Sequence, residues 1–170
     1  MKLRYALLPL CLLTALPAAA ATRGLDVRDM IALDRVSAPL LTADGGNVVF
    51  AKRVVGSDSK ASTGLFIRNL RTRDAAPPRP LTPAGWNVNS AALSDDGQTV
   101  YFLSAKGGSQ QLYAMPLAGG APRQLTDFAV DVDSFQISPQ GDRVAFSAGV
   151  FQDCGSDLAC TSKKLDAHKA

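Results

Sequence analysis

The chain has 170 residues, of which 46% are apolar and 19% are charged. All fifteen acidic residues are Asp, which removes a favoured helix former and every motif that requires Glu, so an all-α fold and an HExxH zinc site are disfavoured. The formal net charge of +3 falls to +1 without Lys2 and Arg4, and we therefore expect no nucleic-acid partner. This length suits one ordinary core and not two full domains.

Residues 1–21 have the pattern of a signal peptide, with two basic residues, an apolar run over residues 5–16 and the small-residue block PAAAA. The apolar run is shorter than the roughly 20 residues that span a bilayer, which argues against the alternative of an uncleaved anchor. We expect cleavage between Ala21 and Thr22, no membrane span in the mature chain, and a periplasmic or secreted protein.

A leader helix is predicted within residues 22–38. Its apolar residues lie mostly on one helical face: Val27, Met30, Ile31 and Val36. Asp26 is placed to cap this helix, and Pro39 is placed to end it.

Three ten-residue windows of the chain align without gaps: residues 41–50 (LTADGGNVVF), 93–102 (LSDDGQTVYF) and 137–146 (ISPQGDRVAF). Their glycines Gly45, Gly97 and Gly141 can take the positive φ of a tight turn. The β-branched and aromatic residues that follow each glycine favour a strand. Each window is therefore predicted to be a β-hairpin.

A second repeat follows the first two windows. Residues 65–70 (LFIRNL) match 112–117 (LYAMPL), and residues 79–82 (RPLT) match 123–126 (RQLT). Pro and Gly between these pieces signal turns, so the unit contains four short strands. The windows begin 52 and 44 residues apart, which is the period of a propeller blade.

The predicted fold is all-β, a partial β-propeller of four-stranded antiparallel blades that follows the signal peptide and one short helix. The propeller occupies residues 39–170, with blades at about 39–82, 87–126 and, in part, 132–170. A β-sandwich is the alternative, but sandwiches do not repeat one turn sequence at this spacing. Two units and a hairpin are too few for a closed ring, which usually needs about 4 to 8 blades.

Cys154 and Cys160 remain once Cys11 leaves with the signal peptide, and an even pair in an exported chain predicts a disulfide. Two free thiols are the alternative. A zinc site is weaker, because the C-x5-C pair has only one His in the whole chain to join it.

The leader helix, the string RVSAP at 35–39 and the first window resemble the start of bacterial exported prolyl-oligopeptidase-type serine peptidases, the dipeptidyl aminopeptidase and acylaminoacyl peptidase group. The later turns, at 95–97 and 139–141, are similar to the Ser-Pro-Asp-Gly blade turns that this family shares with TolB-like propellers. The departures from that turn include Ala43 in place of proline and Gln140 in place of aspartate.

The resemblance implies a propeller that caps a separate α/β-hydrolase domain and screens peptides by size before they reach a Ser-Asp-His triad. This chain has no Gly-x-Ser-x-Gly motif, and its nearest string, GGSQQ at 107–111, is predicted to be a hairpin loop. His168 lies in a Lys-rich tail and is predicted to be solvated. We therefore expect no catalytic residue here and no hydrolase activity from this chain alone.

Other polar groups carry no site of their own. Family members that hold a substrate's amino terminus use propeller glutamates, which this chain lacks. Asp127, Asp131 and Asp133 lie close together in the sequence and are predicted to be solvated loop residues, with a metal site as the less favoured alternative. A solvent-exposed hairpin surface is predicted for the cations Arg68, Arg71, Arg73 and Arg79. Trp86 is predicted to be a core residue. No metal and no cofactor are expected.

The sequence thus predicts the amino-terminal propeller part of an exported serine exopeptidase. Peptide substrates and a C-terminal hydrolase domain would belong to the full-length protein. The alternative function is a TolB-like periplasmic propeller segment that serves as a binding or scaffold module.

Overall fold

The computed structural model describes residues 24–55, 60–72 and 76–169. The predicted signal peptide and its cleavage site at Ala21 and Thr22 lie outside these residues. The elements in chain order are α1 (Val27–Ala32), β1 (Arg35–Leu41), β2 (Asn47–Val55), β3 (Ala61–Asn69), β4 (Arg79–Pro80), β5 (Val88–Leu93), β6 (Thr99–Ser104), β7 (Gln111–Pro116), β8 (Arg123–Gln124), β9 (Ser134–Ile137), β10 (Val144–Ser147), a 3-10 turn (Gln152–Cys154) and α2 (Leu158–Lys169).

The leader helix is real but shorter than predicted. Asp26 caps α1 in a capping box, accepting from the Arg28 N–H at 3.1 Å while its own N–H donates to Asp29 at 2.9 Å. The extension of the helix to residue 38 is wrong, because Val36 lies in β1 and pairs with Lys52 of β2. Strand pairing here takes precedence over the helical periodicity. Pro39 lies inside β1, where an edge strand at a bulge tolerates the missing N–H.

Each of the first two units is a four-stranded antiparallel sheet with its strands in chain order, β1-β2-β3-β4 and β5-β6-β7-β8. All three windows form hairpins, as predicted. The outermost strands β4 and β8 have two residues each. The first sheet begins at Arg35 rather than at 39, and the predicted four-stranded antiparallel unit is confirmed for the first two blades.

The third unit departs from the prediction of a partial blade over 132–170. Its strands β9 and β10 end at Ser147, and the chain continues into the 3-10 turn and α2. Asp157 begins α2 by accepting from the Cys160 N–H at 3.0 Å, which satisfies one of the free donors of the first turn. An aspartate at this position is typical of a helix start, although the predicted fold has no helix here.

The sheets pack face to face through two apolar clusters. Val49 and Leu65 of the first sheet meet Val100 and Phe102 of the second. The opposite face of the second sheet packs against the third unit around Leu103, Leu112 and Val132, which are all 0% exposed. Burying one such side chain stabilises the fold by roughly 1.5–3 kcal/mol, so these two interfaces hold the units together.

Candidate functional site

The first strands of the three units, β1, β5 and β9, form what we call the inner-edge surface. β1 and β5 each lie at one edge of their own sheet, and these two strands contact each other. In a propeller, the blade edges that approach each other in this way surround the central channel. The inner-edge surface is therefore the part of the chain best placed to meet a molecule in the channel.

The inner-edge surface is almost uncharged. Arg35 is the one charged residue in its three strands. The other exposed polar side chains are neutral: Ser37, Asn89, Ser90, Ser134 and Gln136. Ala38 and Ser90 have φ of +49° and +50° at bulges in β1 and β5. Such a surface can exchange hydrogen bonds with a peptide, but it supplies no nucleophile, acid or base.

The first two blades share the same hydrogen-bonded turn between their first and second strands. In the first turn the Thr42 hydroxyl donates to Asp44 at 2.6 Å and accepts from the Asn47 N–H at 3.0 Å. In the second turn Ser94 donates to Asp96 at 2.5 Å and accepts from the Thr99 N–H at 2.9 Å. One hydroxyl therefore joins both arms of each hairpin.

These contacts lower the pKa of both aspartates below 3.8. For Asp44 the Thr42 hydroxyl is the largest cause, followed by the Gly46 N–H and, more weakly, Arg71. For Asp96 the Ser94 hydroxyl is the largest, followed by the Gln98 N–H. The glycines Gly45, Gly97 and Gly141 have φ of +64°, +65° and +72°, which is the left-handed conformation that the turn requires.

The three candidate arginines that the structure describes do not gather into an anion site. Arg71 pairs with Asp44 at 2.9 Å, whereas the Arg79 guanidinium donates to the Leu117 carbonyl of the second sheet at 2.9 Å. Arg68 is exposed, and Arg73 lies outside the described residues. Arg79 instead ties the first sheet to the second beside a cleft of about 480 Å³.

The three candidate metal-binding aspartates are not brought together as a metal centre, and no group of three or more ligand side chains occurs within the described ranges. Asp131 accepts from the Gln110 N–H at 2.5 Å. Burial raises the pKa of the Tyr113 phenol, and the negative charge of the Asp127 carboxylate raises it further.

The structure also places the remaining candidates. Of the string at 107–111, residues 107–110 lie in the loop between β6 and β7, and Gln111 begins β7. His168 is exposed on α2, with its ring stacked on Phe151 at 5.7 Å. Trp86 packs edge-on against Phe102 and Tyr113, with ring centroids at 6.0 and 5.0 Å, so it is a core residue.

Cys154 and Cys160 are joined in a disulfide that links the 3-10 turn to the first turn of α2. Lys164 forms an ion pair with Asp153, which lowers the pKa of that carboxyl, and lies over the Phe151 ring at 5.5 Å. Sequence reasoning missed this contact between the helix and the 3-10 turn. None of the described helices is long and apolar enough to cross a membrane.

A comparison with known protein families identifies one family. Residues 59–149, just over half of the chain, match the family described as "Dipeptidyl peptidase IV (DPP IV) N-terminal region". An uncharacterized peptidase of Bacillus subtilis (strain 168), YuxL, is 29% identical over 118 residues, which cover 68% of this chain and 18% of YuxL.

Two solved structures share the fold. An acylaminoacyl peptidase in complex with a chloromethyl ketone, Z-Gly-Gly-Phe-chloromethyl ketone, has a TM-score of 0.53 at 14% identity, over 71% of this chain and 18% of that one. The acylaminoacyl peptidase of Pyrococcus horikoshii has a TM-score of 0.52 at 14% identity, over 74% and 20%. This chain therefore spans about a fifth of the length of the relatives that it matches.

Proposed function

The chain belongs to the dipeptidyl peptidase IV N-terminal region family, and we propose that it forms the first blades of the propeller of an exported serine peptidase of the dipeptidyl or acylaminoacyl type. The observation that carries this proposal is the family match over residues 59–149, which falls on a chain with the fold of acylaminoacyl peptidase propellers. The hydrolase domain of that peptidase would lie in the remainder of the full-length protein.

The repeat itself supports further blades. Phe102 of the second sheet is 0% exposed because the first sheet covers it. Its equivalent in the first window is Phe50, on the sheet face that points away from the second sheet. On that face Val36, in β1, is 62% exposed beside an open groove of about 590 Å³. We propose that another blade of the same propeller covers this face.

The role that we propose for the propeller is to screen peptides before they reach the hydrolase domain. The inner-edge surface supports this role, because neutral Ser, Asn and Gln side chains on its strands can hydrogen-bond a passing peptide without trapping it by charge. The peptides that pass would be those without clustered charges.

One substitution in the full-length protein tests the screening role. Asn89→Asp adds a negative charge to the inner-edge surface at almost constant shape, and we expect it to raise KM for acidic peptides while kcat for a neutral dipeptidyl substrate stays unchanged. Asn69→Asp, at the end of β3, is the matched control and should change neither. Equal effects of the two variants on acidic peptides would contradict screening at this surface.

We further propose that the protein is periplasmic or secreted. The signal pattern of residues 1–21 and the disulfide support this location. Mass spectrometry of protein exported by a Gram-negative host should find a mature chain that starts within a few residues of Thr22. Intact Met1 in a soluble periplasmic fraction would contradict export by cleavage.

A further inference from the structure

The helix α2 makes several side-chain contacts with the segment just before it. Of its side chains that the structure describes, only Thr161 is buried, at 1% exposure, and Leu165 is 39% exposed. A helix of 12 residues is marginal in water on its own. Its stability must therefore come from contacts with the rest of the chain.

Those contacts converge on one short segment, residues 151–154. The Phe151 N–H donates to the Thr161 hydroxyl at 3.3 Å, and the Phe151 ring is covered by Lys164 and His168. The Asp153–Lys164 ion pair and the disulfide join the same segment to the helix. Exposed ion pairs and cation–π contacts contribute little each, which leaves the disulfide as the strongest single restraint.

We propose that the Cys154–Cys160 disulfide is a redox-sensitive latch that keeps α2 folded over a cavity on the third unit. The cavity has a volume of about 310 Å³. It is lined by Val130, Asp131 and Asp133, by residues 149–151, and by Thr161 and Leu165 of α2. Breaking the latch frees α2 and exposes the apolar part of these walls.

The reaction that opens the latch is thiol–disulfide exchange with a dithiol reductant. One thiolate of the reductant attacks a sulfur of the disulfide, which releases one cysteine and forms a mixed disulfide with the other. The second thiolate of the reductant then attacks the reductant's sulfur in this mixed disulfide and releases the second cysteine. Two electrons and two protons pass to Cys154 and Cys160, which become thiols, and the reductant becomes a disulfide. Both cysteines are partly exposed, so a reductant can reach them.

Limited trypsin digestion of the mature chain tests the latch, with cleavage after Lys163 and Lys164 as the measure of an open α2. We expect reduction to speed this cleavage roughly 10- to 100-fold, since a cross-link that closes a short loop restrains the open state by about that factor. Cleavage after Lys106, in the loop between β6 and β7, is the internal control and should not change. The variant Cys154→Ser/Cys160→Ser should be cut at the fast rate with or without reductant.

Two further readouts separate a latch from a general loss of structure. Reduction should lower the helical signal in circular dichroism and increase the binding of a hydrophobic dye, while the emission of Trp86 in the core stays the same. Equal cleavage rates in the oxidised and reduced proteins would overturn the proposal. A shift of Trp86 emission on reduction would also overturn it, because the disulfide would then stabilise the whole fold.

Discussion

The hydroxyl of Ser138 donates a hydrogen bond to the Asp142 carboxylate, 2.8 Å away and four residues along the chain. In the first two blade turns, the equivalent hydroxyl bonds an aspartate only two residues along. Gln140 occupies that position in the third turn, and Asp142 supplies the acceptor from the other side of the glycine. The turn keeps its form, since the Arg143 N–H still donates to Ser138 at 3.1 Å.

A second repeated hydroxyl predicts a large effect from a small substitution. Thr126 is buried and accepts from the Leu112 N–H at 2.9 Å, and Thr82 does the same for Leu65 in the first sheet. Thr126→Val leaves the Leu112 N–H buried without a partner, so we expect unfolding to become easier by about 1–3 kcal/mol. Urea denaturation gives the value. Thr126→Ser keeps the hydroxyl, and an equal loss in that variant would contradict this explanation.

The packing of the units predicts that Phe→Ala lowers the free energy of unfolding by different amounts at two equivalent positions of the repeat. Phe102 is 0% exposed between two sheets, and Phe146 is 43% exposed. Phe102→Ala should reduce the free energy of unfolding by about 3–5 kcal/mol, and Phe146→Ala by much less, because over two fifths of the Phe146 side chain already meets water. Chemical denaturation of both variants measures the difference. Similar costs would show that the first two sheets do not pack as described.

The turn glycines predict a backbone effect that is independent of packing. Gly45 has φ of +64°, and an added Cβ would meet nothing within 4 Å. Gly45→Ala should therefore cost about 1–2 kcal/mol through conformation alone, whereas Gly45→Asn should cost less because Asn tolerates the left-handed region. Thermal unfolding compares the variants. An alanine variant as stable as the original would contradict a left-handed turn residue.

The turn aspartates predict how stability depends on pH. Hydroxyl and N–H donors lower the pKa of Asp44 and Asp96 in the folded chain. Their contribution is therefore present above the unfolded pKa near 3.8 and is lost as the pH falls through the lower folded values. Urea denaturation at stepped acidic pH should show a shallower loss of stability in Asp44→Asn/Asp96→Asn. Asp95→Asn, outside the turn's hydrogen bonds, is the control, and a shallower loss there instead would contradict this assignment.

The sequence predicts the parts of this fold that repeat. The glycine and the apolar triplet of each window specify a turn and a strand locally, so the three hairpins follow from residues 41–50, 93–102 and 137–146. The helix prediction is wrong at Val36, because an apolar residue at that position fits both the apolar face of a helix and a strand that pairs with Lys52. The helix α2 does not repeat and exposes most of its side chains, so hydrophobic periodicity gave no signal for it.

The inner-edge surface could not be recognised from the sequence, because its property depends on assembly. Ser37 and Asn89 are ordinary polar residues until packing brings β1 against β5. The contact between Arg79 and the Leu117 carbonyl is likewise long-range, over 38 residues, and nothing in the local sequence of Arg79 indicates it.

We propose that this chain is the propeller part of a serine peptidase whose catalytic serine lies elsewhere in the full-length protein. The most direct measurement is labelling of the purified natural protein with a fluorophosphonate probe, followed by mapping of the labelled peptide and assay on acylaminoacyl and dipeptidyl chromogenic substrates. We predict one labelled serine, in a Gly-x-Ser-x-Gly sequence outside residues 1–170, with substrate turnover that the probe abolishes and that the 170-residue chain alone does not show. A natural protein that carries this propeller but takes no label and turns over neither substrate would contradict the claim.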